Sequence, residues 1–247
     1  MSTELLIGIH SVEAALTHDA GNIVELYIET GQQNARVKEL SERARDLGVK
    51  PHARDRADLD RMTGGARHQG VAARYNTPPP RSESELPALI EAAGNEALFL
   101  VLDGVTDPHN LGACLRSAEA AGVTAVIVTK DRAVGITATV RTASAGAADR
   151  VPFIAVTNLA RSMRVLKDAG VWVTGLAGEA EMSIHALDFS GPVALAIGSE
   201  GEGMRRLTRE ACDHLARIPM RGDVESLNVS VATGIALFEV LRQRAGT

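Results

Sequence analysis

From Ala97 onward, six short runs rich in Val, Ile, Leu and Ala recur: ALFLVLDG, TAVIVTK from Thr124, VPFIAV from Val151, VWVTGLA from Val171, PVALAIGSE from Pro192 and a shorter one over residues 214–219. None alternates apolar with polar residues, so each reads as a strand buried on both faces rather than one. Helical segments separate most of them, over residues 111–121, 137–147, 159–169 and 205–212, and a long helix closes the chain. Strands and helices taken in turn predict an α/β fold with a mainly parallel sheet.

Upstream lies a smaller α/β unit, expected over residues 1–76. Ser11 is a candidate N-cap for a short helix through Leu16. IVELYIE, from Ile23, has the composition of a strand. Val37, Leu40, Ala44 and Leu47 recur at helical spacing and stop before Gly48. A strand at Val49 to Ala53, a brief helix near Asp58 to Met62 and a last strand, GVAARYN from Gly70, complete it. Three consecutive prolines in TPPPRSESE favour extended polyproline II, and the polar residues after them have nothing to bury. Residues 77–88 are therefore expected to link this unit to a domain over residues 89–247.

Bulk properties exclude several classes. Apolar content of 45% and charged content of 23% describe an ordinary globular chain. No apolar run is long enough to span a membrane. Glu4 occupies a stretch that a signal peptide would need to be positive, which points to the cytoplasm. Cys114 and Cys212 form no metal spacing and no CxxC pair, so reduced thiols are expected. No plausible metal cluster is present among the seven His, nor a nucleophile elbow with Ser, His and Asp in order. A net charge of −5 argues against a general nucleic-acid coat but leaves room for local basic patches.

One such patch is GGARHQG, Gly64 to Gly70. Arg61 to Arg74 contains three arginines and His68 and no acid. A glycine-hinged basic loop carrying Arg67 and His68 suits an RNA backbone or an unstacked base; a solvated hairpin is the alternative.

Chemistry in an open α/β sheet gathers at the carboxyl ends of the strands. Three polar loops fall there. The first, Asp107-Pro108-His109-Asn110, leads into a helix whose Arg116 shares a face with small residues, where an arginine suits a phosphate or carboxylate better than proton abstraction. The second, Gly198 to Gly203, spaces its glycines G-x-x-G-x-G, which is not the dinucleotide order, yet implies close backbone approach and places Glu200 at a strand end. The third carries Ser226, Leu227 and Asn228 at the start of the last helix. Either Ser226 or Asn228 can cap that helix while also touching a ligand.

NLGACLRSAEAAG, IGSEGEGM and IPMRGDVESLNVSVATGIALFE resemble the three motifs of the SpoU (TrmH-type) branch of the SPOUT methyltransferases. GIHSVEAAL and RHQGVAAR are similar to that family's RNA-binding domain, which resembles ribosomal protein L30e in fold. The resemblance implies a deep trefoil knot in the C-terminal domain, a rare departure from unknotted chains. It implies S-adenosylmethionine as methyl donor with no metal, a homodimer formed through the knotted domain, and a guanosine ribose 2′-OH of 23S rRNA, or of a large-subunit precursor, as substrate. By motif position, Gly198, Ile218 and Leu227 are expected at the cofactor. Asn110, Arg116, Glu200, Ser226 and Asn228 form the expected catalytic group, with Arg67, His68 and Arg116 on the RNA. A tRNA substrate remains an alternative within the family. A non-catalytic RNA-binding assembly factor is the alternative outside it, and a nicotinamide-dependent dehydrogenase is disfavoured by the glycine spacing.

Overall fold

The computed structural model describes residues 2–77, 81–224 and 226–246. Two compact units emerge: Met1–Pro79 with Ile136–Arg150, and Pro80–Gly135 with Val151–Thr247.

The first unit is built on a four-stranded sheet of β1 (Ser2–Ile7), β2 (Ile23–Glu29), β3 (Pro51–Arg54) and β4 (Val71–Thr77), in the order β1-β4-β2-β3. β4 runs antiparallel to both β1 and β2, and β3 lies parallel to β2. Its helices are α1 (Ile9–His18), α2 (Ala35–Asp46) and α3 (Arg56–Met62). Leu6, Val12, Leu16, Leu26, Val37, Leu40 and Tyr75 fill the core between sheet and helices. Asn34 caps α2 by accepting from the Arg36 N–H. Val37, Leu40 and Ala44 are buried as their spacing predicts, whereas Leu47 lies beyond the helix and is exposed.

β1 has no counterpart in the sequence reading. Its order comes from pairing with β4, some seventy positions away, which leaves no local signature. Ser11 is not a cap. It lies inside α1, buried, with its hydroxyl 3.3 Å from that of Thr142. The helix starts two residues earlier, and the orphan Ile9 N–H donates to the side-chain oxygen of Gln69.

Residues 136–150 read in sequence as part of the C-terminal alternation, but pack with the first unit. Their helix α6 (Ala138–Ala143) carries Arg141, which is 3% exposed. Its Nε donates to Glu4 at 2.9 Å, it pairs with Asp149, and its guanidinium lies 4.7 Å from the Tyr75 ring centroid. A buried guanidinium without such partners would cost several kcal/mol, on the order of 3–5. Gly146 adopts φ 86°, and a Cβ there would collide with the Ala14 side chain. Glycine alone allows both the backbone and the approach.

In the second unit, α4 (Leu86–Ala93) precedes β5 (Leu98–Asp103), α5 (Pro108–Ala120), β6 (Ala125–Thr129), β7 (Phe153–Val156), α7 (Leu159–Asp168), β8 (Trp172–Leu176), β9 (Met182–Ser183), β10 (Val193–Gly198), α8 (Arg206–Glu210), β11 (His214–Arg217) and α9 (Val229–Arg244). The sheet order is β7-β6-β5-β10-β8-β11-β9, and every neighbouring pair is parallel. Each residue of β5, β6 and β10 is buried, as unalternating apolar strands require. The chain lays β5, β6 and β7 outward in turn, crosses to β8, and returns to insert β10 beside β5. The order therefore reverses at β5 and β10, whose carboxyl ends form the crevice that ligands favour in such sheets.

Pro78 to Pro80, the polyproline core of the expected linker, lie outside the described residues. The rest of that stretch is ordered structure. The Arg81 N–H donates to the Phe153 carbonyl, Glu83 accepts from Arg161 and Ser162, and Leu86 is fully buried. At the other end of the chain, the Arg244 guanidinium donates to the carbonyls of Phe189, Glu96, Ala97 and Gly191, which ties the end of α9 to the start of β5.

Candidate active site

Local chemistry shapes each of the three polar loops. After β5, the Asp107 side chain accepts from the His109 N–H and Pro108 sits in the first turn of α5, so Asn110 is held in that turn. After β10, the chain doubles back: the Gly203 N–H donates to the Ser199 carbonyl at 3.0 Å. A Cβ at Gly198 would fall inside the main chain of Gly203 and Met204, so this buried strand end must be glycine. Before α9, Asn228 is the N-cap, its side-chain oxygen accepting from the N–H groups of Ser230 and Val231.

Asn228 joins all three loops. While Oδ1 caps α9, Nδ2 donates to Asn110 Oδ1 at 2.9 Å and to Glu200 Oε1 at 2.5 Å. Glu200 Oε1 also accepts from the Val229 N–H at 3.1 Å, which sets a carboxylate on the positive end of a helix sixteen residues long. Only an amide can accept at one end and donate twice at the other. Beneath the site, the Cys114 thiol lies 3.4 Å from the Thr233 hydroxyl between α5 and α9. Burial pushes that thiol up to about 11, so it stays protonated. Cys114 and Cys212 are both free of disulfides.

A second clamp had no place in the sequence reading. Asp103, buried at the end of β5, accepts from the Arg205 main-chain N–H at 2.8 Å and from its Nε at 2.6 Å. It fastens the first loop to the segment that follows the second. The signal was present: a carboxylate that closes an otherwise apolar strand must find a partner once buried.

Of the expected catalytic group, the structure joins Asn110 and Glu200 through their hydrogen bonds to Asn228. Arg116 lies further along α5, exposed, with no hydrogen bond or ion pair among the described residues. Ser226 is exposed at the mouth of the third loop, next to Glu225, which lies outside the described residues. Of the expected cofactor contacts, Gly198 is buried at the β10 end, and Ile218 and Leu227 are half-buried apolar residues in the third loop. Gly201 and Gly203, at φ 84° and 68°, leave the second loop bare of bulk. No group of metal-ligating side chains is found among the described residues.

In the first unit, Arg67 is exposed, but His68 is only 4% exposed. Its Nδ1 accepts from the Gly70 N–H and its Nε2 lies 3.0 Å from Asp60 Oδ1, so both ring nitrogens are committed to shaping the loop.

Residues 97–238 match the SpoU rRNA Methylase family, and residues 5–81 match a family described as RNA 2'-O ribose methyltransferase substrate binding. The chain is 57% identical to the 23S rRNA (guanosine-2'-O-)-methyltransferase RlmB of Xylella fastidiosa (strain 9a5c), over 97% of this chain and 96% of that protein. Against the protein of the same name from Xanthomonas campestris the identity is 56%, over 98% and 97%. Among solved structures, the SpoU methyltransferase AviRb from Streptomyces viridochromogenes, in complex with the cofactor AdoMet, superposes with a TM-score of 0.82 at 25% identity, over 99% of this chain and 92% of that one. A match this long to the methylase family, with relatives this similar over nearly the whole chain, establishes that the protein belongs to the SpoU rRNA methylase family.

Proposed function

We propose that this protein transfers the methyl group of S-adenosylmethionine to the ribose 2′-oxygen of a guanosine in 23S rRNA. The observation that carries the reading is the junction at Asn228, which locks three motif loops into one crevice at the reversal of the strand order. The residues fit such a donor. Gly198 admits main chain where any side chain would clash, and Ile218 and Leu227 offer apolar surface beside unencumbered loop amides. When bound, S-adenosylmethionine supplies an electrophilic methyl carbon.

The chain's own residues have the remaining work. A ribose hydroxyl is a weak nucleophile near neutrality, so it must be placed in line and its developing charge stabilised. Arg116, uncommitted and permanently charged, holds the neighbouring phosphate and faces the developing alkoxide, while water or another group accepts the proton. Glu200 and Asn110 act through Asn228, holding the head of α9 so that Ser226 and the amide groups meet the sugar at a fixed distance. Asp103 and Arg205 brace the same crevice from behind.

Residues 1–76 serve as the RNA-binding domain, with Arg67 as a contact and His68 as its support, and residues 89–247 carry the chemistry. The second and third loops are the crossings of a trefoil knot. The enzyme works as a homodimer: Val231, Ile235 and Phe238 recur at i, i+4 and i+7 on α9 and are 48%, 36% and 51% exposed. A stripe of this kind on one helix face suits a second copy of the chain. No helix among the described residues is long and apolar enough to cross a membrane. The free thiols accord with a cytoplasmic location.

The test is transfer of labelled methyl groups to 23S rRNA and to tRNA from cells lacking the protein, followed by mapping of ribose methylation. Label on one guanosine of 23S rRNA is expected. Label confined to tRNA would replace the substrate, and failure to bind S-adenosylmethionine would overturn the enzymatic reading.

A further inference from the structure

β6 lies beside β5 on the side away from β10, so the loop leaving its carboxyl end borders the first motif loop. That loop reads Lys130-Asp131-Arg132-Ala133-Val134-Gly135. It is pinned at both ends: the Lys130 N–H donates to the Val156 carbonyl at 2.8 Å, and the Val134 N–H donates to the Val105 carbonyl at 3.0 Å. In the middle the chain approaches the crevice. A Cβ built on Gly104 would lie 3.9 Å from the Ser199 hydroxyl oxygen and 4.0 Å from the Arg132 carbonyl, so three loops meet at this point.

Arg132 has a φ of 55°, one of three non-glycine residues in the left-handed region among the described residues. Such strain persists where surrounding structure enforces it, and it collects at ligand sites. Lys130 and Arg132 are both exposed, and neither side chain makes a hydrogen bond or ion pair among the described residues. Glu83, the carboxylate that senses the charge of Lys130, is already occupied by Arg161 and Ser162. Asp131 is the only acid within the loop itself. In a chain of net charge −5, Arg116 on the neighbouring helix α5 is a further exposed cation whose side chain has no hydrogen bond or ion pair among the described residues. An acidic protein can hold a polyanion only through such local clusters of unpaired cations.

We propose that Lys130 and Arg132 form a backbone-binding rim, a subsite that grips the RNA phosphates flanking the target ribose. The proposal rests on the RNA methyltransferase reading above and adds a binding element outside the three motifs. These side chains carry no sequence information; they hold the strand at the crevice and so contribute to RNA affinity rather than to the chemical step. The residues expected at the cofactor, Gly198, Ile218 and Leu227, end or follow β10 and β11 rather than β6.

The test uses the full-length protein with a 23S rRNA fragment containing the target, measured as RNA affinity across a salt series and as KM and kcat for methyl transfer. The variants are Lys130→Gln, Arg132→Gly and their combination; glycine removes the guanidinium without opposing the positive φ. Each single change is expected to raise KM for RNA roughly five- to tenfold and to shrink the salt slope by about one. The kcat at saturating RNA and the affinity for S-adenosylmethionine should remain within about twofold, and retained cofactor affinity doubles as the check on folding. Arg132→Lys should restore most of the RNA affinity. Unchanged KM and salt slope in the double variant would overturn the proposal, as would a fall in kcat with RNA affinity intact. Wild-type protein assayed alongside separates the two readings: no transfer to 23S rRNA sinks the parent reading, whereas normal transfer with unaffected variants sinks only the rim.

Discussion

Asn228 donates its side-chain amide to Asn110, 118 residues earlier in the chain, while its carbonyl oxygen caps the helix that follows it. The cap and the junction are one side chain, so the site cannot open without loosening the start of α9.

Two substitutions separate these roles. Asn228→Asp keeps an acceptor for the cap but loses the donor and sets a second carboxylate against Glu200. It is expected to lower kcat at least a hundredfold with a modest change in melting temperature. Asn228→Ala loses the cap as well, at about 1 kcal/mol. Comparing thermal melts with single-turnover rates for the pair distinguishes the contributions.

Arg116 is exposed and unpaired among the described residues, so its removal should leave stability within about 0.5 kcal/mol. Turnover is expected to fall about a hundredfold or more in Arg116→Ala. Arg116→Lys should recover little, because a point charge does not reproduce a planar fork of donors. Near-full turnover in the lysine variant would remove the guanidinium role.

Gly198→Ala adds a methyl group where the main chain of Gly203 and Met204 already sits. The second loop must move, at a cost of about 1–3 kcal/mol. Calorimetric titration should show loss of S-adenosylmethionine binding well beyond that expected from instability alone.

The exposed stripe on α9 makes a separate prediction. Ile235→Glu and Phe238→Glu place charge on the face argued to meet a second copy. Sedimentation should report a dimer for the parent chain and monomer for the double variant.

Glu239 is buried, accepts from Arg242 and Gln243, and lies 3.2 Å from His185 Nδ1. The Arg242 guanidinium, foremost, holds its carboxyl down at about 2 against a usual value of 4.5. A carboxylate depressed in the folded state stabilises that state above its unfolded value and loses the benefit as pH falls toward 2. Denaturation midpoints should therefore drop between about pH 4.5 and 2, and Glu239→Gln should flatten that acid limb.

Much of the C-terminal architecture was legible because strands buried on both faces write uninterrupted apolar runs, as β5, β6 and β10 do. The three loops were legible because glycines and polar residues after such runs have few other uses. β1 is hidden in the sequence because its pairing with β4 is distant along the chain. Ser11 is ambiguous in sequence because a capping residue and a buried serine within the first turns of a helix look alike until a tertiary partner, here Thr142, is in place. The affiliation of residues 136–150 was equally hidden. Arg141 reads as one more surface arginine, and only Glu4, Asp149 and Tyr75 around it explain its burial.

By itself the sequence determined the class of the fold, the three strand–loop–helix segments and the residue types available to them, since these follow from local periodicity and backbone freedom. Only the tertiary structure decided which of those residues meet. It made Asn228 the shared partner of Asn110 and Glu200, revealed the Asp103–Arg205 clamp, and turned His68 from an apparent ligand contact into a loop support. The physical reason is that hydrogen-bond commitment depends on distance and burial across strands far apart in the chain, and neither quantity has a period in the sequence.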